Sequence, residues 1–127
     1  MNTTQTEIPK GFSEPLARGV EDGIEWFTCR APVWDAVNGY ARLPEGHPWR
    51  GLSLQMEDYD KGPAIHGGIT YGPDSAGWIG FDTAHSGDVW PGIPQSLVGT
   101  GWDRHWNEDM VAEEARHLAR QIAEAAA

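Results

Sequence analysis

The clearest periodicity in the chain lies at its C-terminal end. Val111, Ala115, Leu118 and Ile122 recur at spacings of 4, 3 and 4, which places them on one face of a helix. Asn107 is a good N-cap, and Glu108 and Asp109 fall in the first turn, where the helix dipole favours negative charge. Trp106 and Val111 stand at the N′ and N4 positions of a hydrophobic staple. Glu113, Arg116 and Arg120 read as a solvated face. A single helix with a narrow, Ala-rich stripe needs a flat apolar surface to cover. Upstream, short aromatic and β-favouring runs alternate with Gly and Pro, so that surface is a sheet. The expected fold is α+β: a small, mostly antiparallel sheet of about four strands with one C-terminal helix packed on it, in the order ββ–ββ–α.

Residues 1–22 are polar, with two Pro before residue 16 and few apolar side chains, and read as a flexible N-terminal arm. A single α+β domain is expected over residues 23–127. Its first strand is Ile24–Arg30, ended or bent by Pro32. A second strand region runs from Val33 to Leu43, with Asn38-Gly39 as a turn signal or a bulge. Ala64–Tyr71 and Trp78–Asp82 are expected to pair as an antiparallel hairpin around the turn-forming run Gly72–Gly77. Residues 86–105 hold four Gly and two Pro and read as a long irregular loop. Loops longer than ~12–15 residues are uncommon in compact domains and are often functional.

Composition narrows the function classes. The chain has 127 residues and a formal charge of −10. Such an acidic balance argues against a nucleic-acid surface, which needs a basic stripe, and against docking on anionic lipid. One cysteine, Cys29, excludes an intrachain disulfide and a multi-Cys zinc site. No apolar run approaches the ~20 residues of a membrane span, and the N-terminus lacks the apolar region of a signal peptide. A soluble, cytoplasmic location is the expectation. Seven Trp, each able to bury ~150–250 Å², make a core possible, and those at 90, 102 and 106 imply a loop that folds over the sheet or joins an oligomer interface.

The densest chemistry lies in His66-Gly67-Gly68 and in Phe81-Asp82-Thr83-Ala84-His85-Ser86-Gly87-Asp88. In the expected hairpin, His66, Asp82 and His85 come to one edge of the sheet. Two imidazoles and a carboxylate can hold a divalent metal, orient a general base, or hydrogen-bond a ligand. A purely structural role remains beside these, with Asp82 capping the turn that follows its strand. The spacings of sixteen and three residues from His66 to Asp82 to His85 match no standard metal motif. No metal or cofactor is therefore assigned. Gly67 and Gly68 in mid-strand mark close approach of a ligand or another backbone, or else a bulge. A second cluster is His47, Trp49 and Arg50, where an Arg beside a Trp suits a flat anion such as a nucleotide, unless Trp49 is core and Arg50 pairs locally.

Three runs carry a resemblance: Asn38 to Trp49, His66 to Tyr71, and Gly80 to Asp88. Together they are similar to a set of small proteins of phages and prophages, over residues from about 24 to the C-terminal helix. That resemblance implies a viral origin and an accessory role in the bacterial cytoplasm, and it brings no catalytic residues with it. Small phage accessory proteins often inhibit host defence, either by binding a host protein or by sequestering a nucleotide signal. The expected function is capture of a small polar, nucleotide-like ligand by His47, Trp49, Arg50, His66, Gly67, Gly68, Asp82 and His85, with a homo-oligomer completing the pocket. The alternatives are a His/Asp hydrolase of a phosphoester or glycosidic bond, and an acidic decoy for a basic host protein.

Overall fold

The computed structural model describes residues 5–94 and 103–126. Four strands form an antiparallel meander in sequence order: β1 (Pro15–Glu21), β2 (Ile24–Arg30), β3 (Val37–Arg42) and β4 (Trp78–Phe81). Two further short strands, β5 (Asp88–Val89) and β6 (Arg104–His105), pair in parallel. Helix α1 (Glu108–Ala126) closes the chain and packs across β2 and β3. The α+β expectation thus holds. The N-cap holds too, since Asn107 Oδ1 accepts from the Met110 N–H at 2.9 Å.

Alternation along the strands splits the core in two. Trp26, Ala41, Ile79 and Phe81 face the helix and pack with Val111, Ala115, Leu118 and Ile122. Phe27, Cys29, Tyr40 and Trp78 point the other way. Phe27 and Tyr40 stack there at 4.8 Å between ring centres, and burial pushes the Cys29 thiol up from its ordinary range. This second apolar face corrects the arm expected over residues 1–22. Pro15–Glu21 is the edge strand β1, and Ile8 and Phe12 ahead of it cover the second face. Phe12 sits 5.0 Å from the Tyr40 ring, the Trp78 indole donates to the Glu7 carbonyl at 3.1 Å, and Thr6 bonds the Glu25 carboxylate at 2.8 and 2.6 Å.

The second expected hairpin is also corrected. Strand β4 pairs with β3, and the segment 64–71 meets it only through a bridge between Tyr71 and Gly80. Gly67 and Gly68 hold φ of 67° and 80°, left-handed values that no extended strand accommodates. The second strand region is shorter than expected, because Trp34 and Asp35 form a turn before β3 begins. Asn38-Gly39 is neither turn nor bulge. Gly39 lies in mid-strand, opposite Thr28 on one side and Phe81 on the other. A Cβ on Gly39 would fall 2.5 Å from Phe81 Cζ and 3.3 Å from Ala115 Cβ. Its missing side chain is what lets the helix close on the sheet with the Phe81 ring between them. Gly39→Ala should therefore destabilise the fold by about 1–3 kcal/mol, read as a lower urea midpoint. An unchanged midpoint would mean that helix and sheet are not held this tightly.

Candidate functional site

Three segments converge beside the N-terminal half of α1. The first is a turn over residues 65–68, closed by the Gly68 N–H on the Ile65 carbonyl at 3.0 Å. It is strapped to the helix twice: the His66 N–H donates to Glu114 Oε2 at 3.0 Å, and Ala64 exchanges two bonds of 2.8 and 2.9 Å with the Gln121 amide. Glu114 and Gln121 stand seven residues apart and so share a helix face.

The second segment is the loop after β4. Buried Thr83 fixes it by donating to the Val37 carbonyl at 2.7 Å, while its own oxygens accept from the Trp90 indole at 3.0 Å. Asp82 Oδ1 accepts from the Ala84 N–H at 3.0 Å, the turn-capping role open to it from sequence. Residues 85–88 then close a turn, with the Asp88 N–H on the His85 carbonyl at 2.9 Å. The third segment is Trp106, just ahead of α1 and buried in the main core.

Asp88 joins the three. Its side chain is only 2% exposed, while His66 and His85 retain 22% and 35%. Its carboxylate accepts from the Trp106 indole at 2.8 Å, His66 Nε2 at 2.9 Å and the His85 N–H at 2.9 Å, with His85 Nδ1 at 3.3 Å. Burial alone would raise its pKa. The bonds from Trp106, His66 and the His85 backbone outweigh that and hold it below the ordinary value. The His66 ring lies edge-on to Trp106 at 4.8 Å and to His85 at 5.6 Å. Arg104 sits over the far part of this aromatic group, 4.1 Å from the Trp106 ring centre. Gly67 is the floor under His85, since a Cβ there would fall 2.3 Å from Cε1 of that ring. A close approach does occur at this glycine, but the approaching group is a side-chain imidazole of the same chain and not the ligand or backbone expected there.

Of the residues singled out from sequence, His66, Gly67 and His85 come together. Asp82 reaches only His85, at 3.3 Å, and the partner of His66 is Asp88. With no hairpin over 64–71 there is no register to set His66 against Asp82. Asp88 stood at the end of the quoted run, three residues after His85, but its burial by Trp106 has no signature in spacing.

The second cluster is engaged within the fold. His47 is buried, with Nδ1 accepting from the Trp49 N–H at 3.0 Å, so its Nε2 carries the proton donated to the Ile122 carbonyl at 2.9 Å. Arg50 spends Nε and Nη2 on the carbonyls of Leu43, Pro44 and Ala76, at 2.9–3.1 Å. Trp49 packs against the helix-side core. In this arrangement the three side chains brace the loop around residue 48. The long loop also gains an account: Trp90 and Trp106 fold into the core, while Trp102 lies outside the described residues.

Two concavities flank the site. One, of about 210 Å³, is lined by Trp34, Ala84, His85, Ser86, Gly87 and Ile93. The other, of about 490 Å³, lies across Trp90, Pro91, Trp106 and Glu108, with Arg30 and Asp35 on its rim. The Trp34-Asp35 turn stands between them, packed so closely on Gly92 that a Cβ there would meet Trp34 at 2.8 Å. Both turn residues are left-handed, at φ 54° and 58°. Such backbone costs ~1–3 kcal/mol per residue and persists only where its surroundings enforce it. Arg30 does so here by donating to the Asp35 carbonyl at 2.8 Å.

No protein-family model, no curated protein and no solved structure matches the chain. Among the described residues, no helix is long and apolar enough to cross a membrane.

Because Asp88 has a depressed native pKa, its contribution to stability is complete above the ordinary carboxylate range. It is lost as pH falls through the depressed value. Asp88→Asn should therefore cost about 1–3 kcal/mol at pH 7, with the gap to wild type narrowing below about pH 4. Urea titrations across that range test this, and a pH-independent gap would contradict the charged role of Asp88.

Proposed function

We propose that this protein captures a small polar ligand at the imidazole face of the Asp88 cluster. The observation that carries this reading is the contrast in exposure: one buried carboxylate anchors two imidazoles that stay part-exposed, and His85 lines the 210 Å³ cavity. A polar knot serving only the fold has no need of an imidazole at a concave surface, where His85 stands. The small volume favours a compact ligand over a whole nucleotide, since pockets for drug-sized molecules run to ~300–1,000 Å³. With Arg50 committed to backbone carbonyls, the ring-and-phosphate part of the earlier expectation loses its cation. The neighbouring groove along Trp90 and Trp106 offers a larger ligand a surface to extend over.

An accessory role in a phage-infected cell is part of this proposal and rests on the three-motif resemblance. Turnover is the second reading, favoured by one observation. Asp88 holds His66 through Nε2, as a carboxylate orients a general base. Native mass spectrometry of gently purified protein, followed by denaturation of the same sample, separates the two. Capture predicts a released organic mass in the wild type that is absent from His85→Ala, with matching circular dichroism for the two proteins. A released mass unchanged in His85→Ala, or none in the wild type, defeats the capture reading. The intact mass also reports whether a homo-oligomer completes the pocket.

A further inference from the structure

The Asp88 cluster has donor chemistry that hydrogen bonding alone does not use up. His66, His85 and Asp88 each offer one ligand atom, and these atoms lie within 4.8 Å of one another. His66 Nε2 and His85 Nδ1 lie 3.1 and 3.3 Å from the same carboxylate oxygen, Asp88 Oδ2. Metal–ligand bonds of ~2.0–2.1 Å place two donors of a tetrahedral site roughly 3.3 Å apart. Both contacts to the carboxylate already lie near that spacing. Only the two imidazoles need to draw together, which the exposure of His85 permits.

The carboxylate is also held for the purpose by groups that are not ligands. The Trp106 indole takes one lone pair of Oδ1 and the His85 N–H takes one of Oδ2. A carboxylate oxygen has about two, so each keeps one for the imidazole side. This is the arrangement by which neighbouring donors orient a metal-binding carboxylate. Gly67 leaves the second imidazole the room it occupies, since a Cβ there would meet His85 Cε1 at 2.3 Å.

We propose that His66 Nε2, His85 Nδ1 and the Asp88 carboxylate bind one first-row divalent transition ion, with Zn²⁺ the reference case. Two imidazoles and one carboxylate are intermediate-to-hard donors that suit Zn²⁺, Fe²⁺ or Mn²⁺, and three protein ligands leave a coordination position open. The proposal rests on the reading of this cluster as the ligand site and names what completes it. Two neutral imidazoles, one carboxylate and a dication sum to a single positive charge. That gives a chain of formal charge −10 a local site for a small anionic or strongly polar group beside His85.

The test is calorimetric titration of chelator-treated protein with ZnCl₂, alongside Co²⁺ titration read by visible absorption. The expected result is one ion per chain, a Co²⁺ spectrum of four- or five-coordinate type, and affinity at least tenfold weaker in His85→Ala. His117→Ala, an exposed histidine on α1, should bind as the wild type does. His85→Ala keeps the backbone bond to Asp88, so its fold is checked by circular dichroism. Should it unfold, the Co²⁺ spectrum of the wild type and the stoichiometry decide. Absence of binding in the wild type, equal binding in a folded His85→Ala, or a six-coordinate Co²⁺ spectrum without imidazole ligation overturns the proposal. If the wild type binds no ion yet releases an organic mass on denaturation, the metal is wrong and ligand capture stands. If neither is found, both fail.

Discussion

A four-stranded sheet that is apolar on both faces has to be covered twice, and the described residues supply one α-helix to do it with. Helix α1 takes the face of Trp26, Ala41 and Phe81. The face of Phe27, Tyr40 and Trp78 is left to irregular segments, namely Ile8 and Phe12 from the N-terminal side and Tyr71 and Ala76 from the stretch between β3 and β4. That division explains why long described stretches that are neither strand nor helix still pack on the sheet. The stretch from Pro63 to Ala76 must run from the helix to the far face of the sheet. It begins strapped to Gln121 and Glu114 and ends at the bridge between Tyr71 and Gly80.

The site follows from this routing. Where the crossing segment leaves the helix it makes the 65–68 turn, and the loop after β4 arrives at the same place on its way back to the start of α1. Two loops meeting over a helix bring polar backbone into a region that Trp90 and Trp106 keep dry. One buried carboxylate resolves that conflict by accepting from both loops and from Trp106. Desolvating a carboxylate is costly, and only several donors together restore the balance. The structural need therefore accounts for Asp88, Trp106 and the His85 N–H. It does not account for two imidazoles, since one backbone amide or hydroxyl would serve as well.

What could be read in the sequence was what local periodicity controls. The helix face, its N-cap and the strands at 24–30 and 78–81 follow from spacing and residue type. Strand β1 was hidden because its register depends on pairing with β2 and its apolar content is low: Leu16 and Val20 point outward and are exposed. The 64–71 segment misled because alternating Ile, Thr and Tyr resemble a strand, whereas two left-handed glycines make a turn of it. At the site, His66, Gly67 and His85 were legible as unusual residues close together. Asp88 as their hub was not, because its role depends on a tryptophan eighteen residues further along. His47 and Arg50 looked reactive for the converse reason: side chains that satisfy backbone carbonyls at a distance have the same letters as side chains that wait for a ligand.

Capture, acid–base chemistry and metal binding place different demands on the same four atoms, and lone-pair counting ranks them. With Trp106 and the His85 N–H in place, Asp88 has one acceptor position left on each oxygen. If imidazole protons fill both, His66 Nδ1 and His85 Nε2 become acceptors, and the cluster receives a ligand that donates. A cation between the rings reverses the polarity: both outer nitrogens become donors and the open coordination position takes an anion. One unchanged backbone would thus support two opposite ligand preferences, set by whether protons or a metal ion occupy the space between His66, His85 and Asp88. With Arg50 turned into the fold, the second state would add positive charge at the imidazoles themselves, beside Arg104 on the Trp106 ring, in a chain of overall charge −10.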